Sequence, residues 1–211
     1  VGKVKKMKKV NTKFHEGPLA FSKDGKTVYF TRNNIAQGNK RRDKDKIQNL
    51  KIYIADVDAK GRFVNEREFK YNSQDYSVGH PAITADGKTM FLVSDKPGGI
   101  GGADIYKVEI VGTDSFGEMV NLGPSINTEG KEMFPYVDAT GRLFFSSDGR
   151  PGLGGMDVYI SEGKNGNFKE VINLGHPVNS RFDDFAFNMA NDALKGYVSS
   201  NRAGNDDIYA V

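Results

Sequence analysis

Two pairs of aspartates, Asp95 with Asp104 and Asp148 with Asp157, each stand nine residues apart and bracket glycine-rich stretches, Gly98-Gly99-Ile100-Gly101-Gly102 and Gly152-Leu153-Gly154-Gly155. Carboxylates gathered by a tight chain reversal can ligate a hard cation or accept main-chain N–H groups and hold the turn. A calcium site takes about six to eight oxygens, more than one such turn supplies. The spacing within residues 98–104 is one residue too long for the Gly-Gly-x-Gly-x-Asp calcium nonapeptide, and the first repeat carries Lys51 where Asp104 would stand. Asp104, Asp157 and their later counterpart Asp207 are therefore expected to fix turns, with no metal and no cofactor.

Other chemistries lack their residues. No Gly-x-Ser-x-Gly or Ser/His/Asp signature occurs. The glycine-rich turns run into strands rather than helices, so no helix N-terminus is available to hold phosphate. The chain has no cysteine, which removes disulfides and thiolate metal sites, and its net charge is only +3. Lys3, Lys5, Lys6, Lys8, Lys9 and Lys13 cluster at the start. No aromatic residue is interleaved with them for base stacking, Phe14 only following the last, so they read as a protected edge strand and not as a nucleic-acid site. No apolar run approaches the ~20 residues of a membrane-spanning helix, and membrane insertion is not expected. No signal peptide is present, so any export or lipidation signal is expected to lie outside this fragment.

The elements that must position these residues repeat. Tyr53, Tyr106, Tyr159 and Tyr209 form a ladder with steps of 53, 53 and 50. Each of the first two repeats opens with a short strand and an Asp-Gly turn, at Lys23-Asp24-Gly25-Lys26 and Ala85-Asp86-Gly87-Lys88, followed by a β-rich run. Ala139-Thr140-Gly141-Arg142 serves the third repeat, and Asn191-Asp192-Ala193 gives the fourth an irregular turn. A third strand follows each tyrosine, Val108–Val111 for instance, and a fourth leads into the linkers 121–127 and 173–179. Such repeats predict an all-β propeller of four-stranded antiparallel blades, four in number. Blades are expected at about 15–75, 76–128, 129–180 and 181–211. The segment 1–14 is expected to supply the strand that closes the last blade.

Pro18 through Lys26 and Pro81 through Lys88 resemble the Pro…Asp-Gly-Lys motif of WD40-like, TolB-type propeller repeats. The Ser-Asp…Gly-Gly…Asp-Ile-Tyr turns resemble those of OmpA-family, peptidoglycan-associated proteins of Bacteroidetes-type bacteria, some linked to type IX secretion. The resemblance covers roughly His15 to Val211. It implies a periplasmic, outer-membrane-associated parent whose partners are envelope or secretion-system proteins, with peptidoglycan bound only through a domain outside this fragment.

In an up-and-down blade the second hairpin and the inter-blade linker emerge on one face, and loops on a rigid scaffold carry function. Partner contacts are therefore expected from Arg150, Arg202, Asp95, Asp148, Asn201 and the charged insertion with Arg41 and Arg42. Glu16, His80, Glu132, Asp183 and Asp184 begin inner strands and are expected at the channel mouth. There they define the alternatives to a non-catalytic docking module: a carbohydrate-active enzyme using channel carboxylates, or a glycan- or peptide-binding lectin. The phenylalanines Phe21, Phe30, Phe91, Phe134, Phe144, Phe145, Phe185 and Phe187 and the tyrosine ladder are read as blade-to-blade core.

Overall fold

A computed structural model describes residues 16–36, 39–40, 42–164, 167–189 and 195–211, and all regular structure among them is β. Four antiparallel sheets stand in a ring as a four-blade propeller. The first contains β1 (Glu16–Phe21) and β2 (Thr27–Asn33). A small hairpin, β3 (Ile35–Ala36) and β4 (Asn39–Lys40), precedes its outer strands β5 (Leu50–Val57) and β6 (Phe63–Glu68). The second contains β7 (Val78–Ile83), β8 (Thr89–Ser94) and β9 (Asp104–Gly112), its outer edge split between β10 (Ser115–Phe116) and β11 (Val120–Asn121). The third is β12 (Glu132–Val137), β13 (Leu143–Ser147), β14 (Asp157–Lys164) and β15 (Asn167–Asn173). The fourth has three described strands, β16 (Asp184–Met189), β17 (Gly196–Ser200) and β18 (Asp207–Ala210). The expected closing strand within 1–14 and the turn 191–193 lie outside the described residues.

The first hairpins form where the sequence places them. Gly25, Gly87 and Gly141 take φ of 68°, 77° and 93°, the left-handed region that glycine enters without steric cost. Asp24 accepts the N–H of Lys26 and Asp86 that of Lys88. In the third blade Asp138 does the same work from two positions earlier, accepting the N–H of Thr140 and Arg142. Asp58 repeats this pattern with Lys60 and Arg62. The segments Asp58-Ala-Lys-Gly-Arg62 and Asp138-Ala-Thr-Gly-Arg142 are thus one turn used twice. The third strands of the second and third blades begin at the aspartate before the tyrosine, so Tyr106 and Tyr159 lie inside β9 and β14 rather than ahead of them.

Every inner strand carries a bulge. Pairing breaks between Glu16 and Leu19, Gly79 and Ala82, Met133 and Tyr136, and Phe185 and Asn188. At the bulge His80, Phe134 and Ala186 adopt φ of 51°, 53° and 53°. A non-glycine residue held there stores about 1 kcal/mol or more of strain. The first blade has Gly17 at this position, outside the left-handed region, with Pro18 aligned to Pro81 and Pro135.

The core lies between blades. Tyr29, Ile52, Ile54, Val78, Met90 and Leu92 join the first to the second. Phe91, Ile105, Val137, Leu143 and Phe145 join the second to the third. Phe144, Val158, Phe187 and Val198 join the third to the fourth. Val28, Phe30, Tyr53 and Ala55 cluster on the other side of the first sheet. Phe21 departs from the expected core: it is 45% exposed, because it flanks that outer cluster edge-on to Phe63 and not an interface between described blades. Phe134 and Phe185 are half-buried and lie outside these clusters, yet they still meet across blades: Phe134 stacks on His80 of the second blade and packs tilted against Phe185 of the fourth.

Candidate functional site

The glycine-rich turns are built on their aspartates. Asp104 accepts the N–H groups of Ile100 (2.6 Å) and Gly101 (3.2 Å), and Asn121 donates to it from the outer strand. Asp157 accepts those of Leu153 (2.7 Å) and Gly154 (3.1 Å). Both carboxylates are buried. A Cβ on Gly99 or Gly152 would overlap the Oδ2 of Asp104 or Asp157, which is why glycine occupies these positions. A Cβ on Gly101 or Gly154 would strike carbonyl oxygens of the next linker, Thr128 or Phe182. Asp207 differs. It is exposed, and among the described residues no turn amide donates to it, because the shortened turn 201–206 does not curl back over the strand.

The residues expected to grip partners are largely engaged inside the molecule. Arg150 donates Nη2 to the carbonyls of Ser125 and Ile126, both 2.9 Å away. Arg202 donates to the carbonyls of Pro177 and Val178 and to the Asp184 carboxylate. Each guanidinium therefore clamps the linker entering its own blade. Asp95 and Asp148 accept the N–H of Ser77 and Lys131, and Asn201 that of Asp183, fastening each turn to the start of the inner strand beside it. Arg42 is exposed, whereas Arg41 lies outside the described residues.

The ionisable residues expected at the channel mouth are not among those lining the central cavity. Glu132 is wholly buried and accepts from the N–H and hydroxyl of Thr128 and the hydroxyl of Ser147. Asp184 is wholly buried as well; burial pushes its carboxyl up, but hydrogen bonds from Ser200, Arg202 and Ser180 outweigh this and hold it below the usual carboxylate value. Asp183 accepts from the N–H of Met156 and the amide of Asn201. Glu16 is half-buried at the start of β1. His80 is buried with its ring stacked on Phe134, centroids 4.3 Å apart, and its Nδ1 accepts the N–H of Phe134. Burial pushes this imidazole down to about 4, so it is neutral at physiological pH.

The loop face that remains carries apolar tips. Ile100 and Leu153 occupy equivalent positions, 39% and 54% exposed, each held through its own N–H by the buried aspartate of its turn. Phe182, on the linker touched by Gly154, is also exposed and lies under the Arg181 guanidinium. Beside the Ile100 turn a cavity of about 200 Å³ opens between Ser77, His80, Asp95, Lys131 and Met133. Sequence reading passes over Ile100 and Leu153 because exposure at the tip of a turn has no periodic signature. The recurrence of an apolar residue within Gly-Ile-Gly-Gly and Gly-Leu-Gly-Gly is the signal that marks them.

A ring of four-stranded blades with its loops gathered at two ends defines a β-propeller. No protein-family model matches this chain, and no curated protein matches it in sequence. Solved structures match in fold. TolB from Acinetobacter baumannii aligns over 93% of this chain and 41% of its own, with a TM-score of 0.56 and 16% identity. A putative TolB from Agrobacterium tumefaciens aligns over 91% and 58%, with a TM-score of 0.60 and 17% identity. A puromycin-hydrolyzing peptidase from Mycobacterium tuberculosis aligns over 93% and 27%, with a TM-score of 0.55 and 17% identity. The chain spans about two fifths and under three fifths of the lengths of the two TolB structures. Its propeller is TolB-like in fold, and the same architecture serves enzymes.

Proposed function

We propose that this propeller is a non-catalytic docking module that binds partner proteins through the face carrying the glycine-rich turns. The observation that carries the reading is the matched pair Ile100 and Leu153. Each is an apolar side chain pointed outward from a turn whose backbone is fixed by a buried carboxylate, so little ordering entropy remains to be lost on binding. Arg150 and Arg202 act in this scheme as scaffold, and the small cavity beside the Ile100 turn receives an anchoring side chain of the partner. The turn motifs and the TolB-like fold favour a periplasmic, outer-membrane-associated parent of the OmpA-like kind, with type IX secretion one setting for its partners. The carbohydrate-active reading loses ground because Glu132 and Asp184 spend their oxygens on internal donors.

The test is site-specific photo-cross-linking in envelope extracts. A cross-linking residue at Leu153 should capture a discrete partner that is lost when Ile100→Asp is added, while the same residue at Ile172 on the outer strand should capture nothing. Equal capture from both positions, or hydrolysis of glycan fragments by the wild-type chain, would overturn the proposal.

A further inference from the structure

The central cavity, of about 460 Å³, is walled by the inner strands of all four blades, including Leu19, Phe21, Pro81, Ile83, Pro135 and Met189. Among the described residues, no Asp, Glu, Lys, Arg or His lines it. Pro18, Pro81 and Pro135 also remove three main-chain N–H groups from its wall, so the interior offers an anion few main-chain donors. Toward the glycine-rich face the ring of Phe134 stacks on His80 and packs tilted against Phe185. The cavity opens instead toward the hairpin turns that hold Asp24, Asp86 and Asp138.

That rim also carries a donor with a free valence. The Asp24 and Asp86 carboxylates are turned onto their own backbones. Arg142 reaches the cavity edge: its Nε is held by Asp138, and its Nη2 finds the thioether of Met189, a cavity-lining residue, at 3.9 Å. Sulfur is a weak acceptor, so a strong donor stands there poorly used. Asn188, also on the wall, is exposed and among the described residues makes only a long 3.4 Å contact from Nδ2 to the carbonyl of Ala186.

We propose that this cavity binds a small apolar monocarboxylate, such as a medium-chain fatty acid. Its body lies between the four inner strands and its carboxylate meets Arg142 Nη2, with Asn188 as second donor. The volume suits a small ligand, the wall favours an uncharged body, and the guanidinium supplies the charge-assisted bond at the mouth. This site lies on the face opposite the docking surface and goes beyond that reading; neither depends on the other.

Calorimetric titration with decanoate and with decanol tests it, since the two share a chain and differ in charge. Wild type should bind one decanoate saturably and more tightly than decanol. Arg142→Gln should weaken decanoate about tenfold or more, the worth of a charge-assisted bond, and leave decanol unchanged. Leu19→Trp, at an exposed wall position, should abolish both. Thr140→Ala disturbs the same turn without touching the guanidinium and should leave decanoate binding intact, with thermal melts confirming that each variant is folded. Absence of saturable decanoate binding by wild type would overturn the proposal. So would a Thr140→Ala loss as large as that of Arg142→Gln.

Discussion

Asn127 closes both main-chain polar groups of Ile105 with one carboxamide, accepting its N–H at 2.8 Å and donating to its carbonyl at 3.0 Å. The same side chain donates to Asn121 Oδ1, which keeps the linker folded over the strand. Asn179 does this for Val158, and Asn72 for Ile52. Three blades thus seal the outer edge of the third strand, beside the tyrosine, with a side chain in place of another strand. At the matching Ile208 no such asparagine sits among the described residues, and Ile208 is 75% exposed.

Replacing Asn127 by alanine leaves the buried N–H of Ile105 unpaired, while its carbonyl keeps the N–H of Leu122, and an unpaired buried group costs about 1–3 kcal/mol. Asn127→Ala should therefore lower unfolding free energy by about 1–3 kcal/mol in urea titrations. Asn188→Ala, which removes only a long exposed contact, should change it by less than about 0.5 kcal/mol.

Gly152 and Gly25 separate steric exclusion from backbone strain. A Cβ on Gly25 meets nothing within 4 Å, so Gly25→Ala carries only the left-handed penalty of about 1–2 kcal/mol. On Gly152 it would enter the Asp157 carboxylate, break the bonds to Leu153 and Gly154, and add about 1–3 kcal/mol of overpacking. Amide exchange at Leu153 should accelerate in Gly152→Ala and stay unchanged in Gly25→Ala.

His80 makes stability depend on pH in the mildly acid range. The unfolded chain takes up the imidazole proton near 6.5, while the folded chain refuses it until about 4. Between these values the unfolded state binds more protons, so stability is lost as pH falls from 6.5 to 4, by about 3 kcal/mol at most over the whole window. His80→Asn keeps a residue tolerant of the left-handed bulge. The difference between wild-type and variant unfolding free energies should slope from 6.5 down to 4 and be flat above 7.

Asp184 governs a lower window. Its carboxyl is held below 3.8, so the stability it contributes is complete above that value and is lost as pH falls through the folded-state value. Arg202→Gln removes one of the bonds that lower it and should shift the acid limb of unfolding upward in pH. Arg150→Gln cuts an equivalent linker clamp whose hydrogen bonds go to carbonyls, and should destabilise without moving that limb.

The repeat, the Asp-Gly hairpins and the role of Asp104 and Asp157 were all legible in the chain. They rest on local rules: glycine's access to positive φ, strand alternation, and a carboxylate within reach of amides three or four residues away. Asp138 was harder to read, since its cap sits two positions from the aligned Asp-Gly and only its likeness to Asp58 through Arg62 betrays it. What no local rule decides is where a polar side chain goes once blades pack. Arg150 and Arg202 look like free loop cations, but the linker of the adjoining blade places its carbonyls within their reach. Glu132 and Asp184 begin inner strands as expected, yet the donors that bury them come from the preceding linker and the neighbouring strand. The sequence by itself determined the strands, the turns and the number of blades, because those depend on near neighbours. Only the tertiary structure decided which charges were consumed and which apolar tips and cavity walls were left open, because that depends on surfaces about 50 residues apart along the chain meeting at each blade interface.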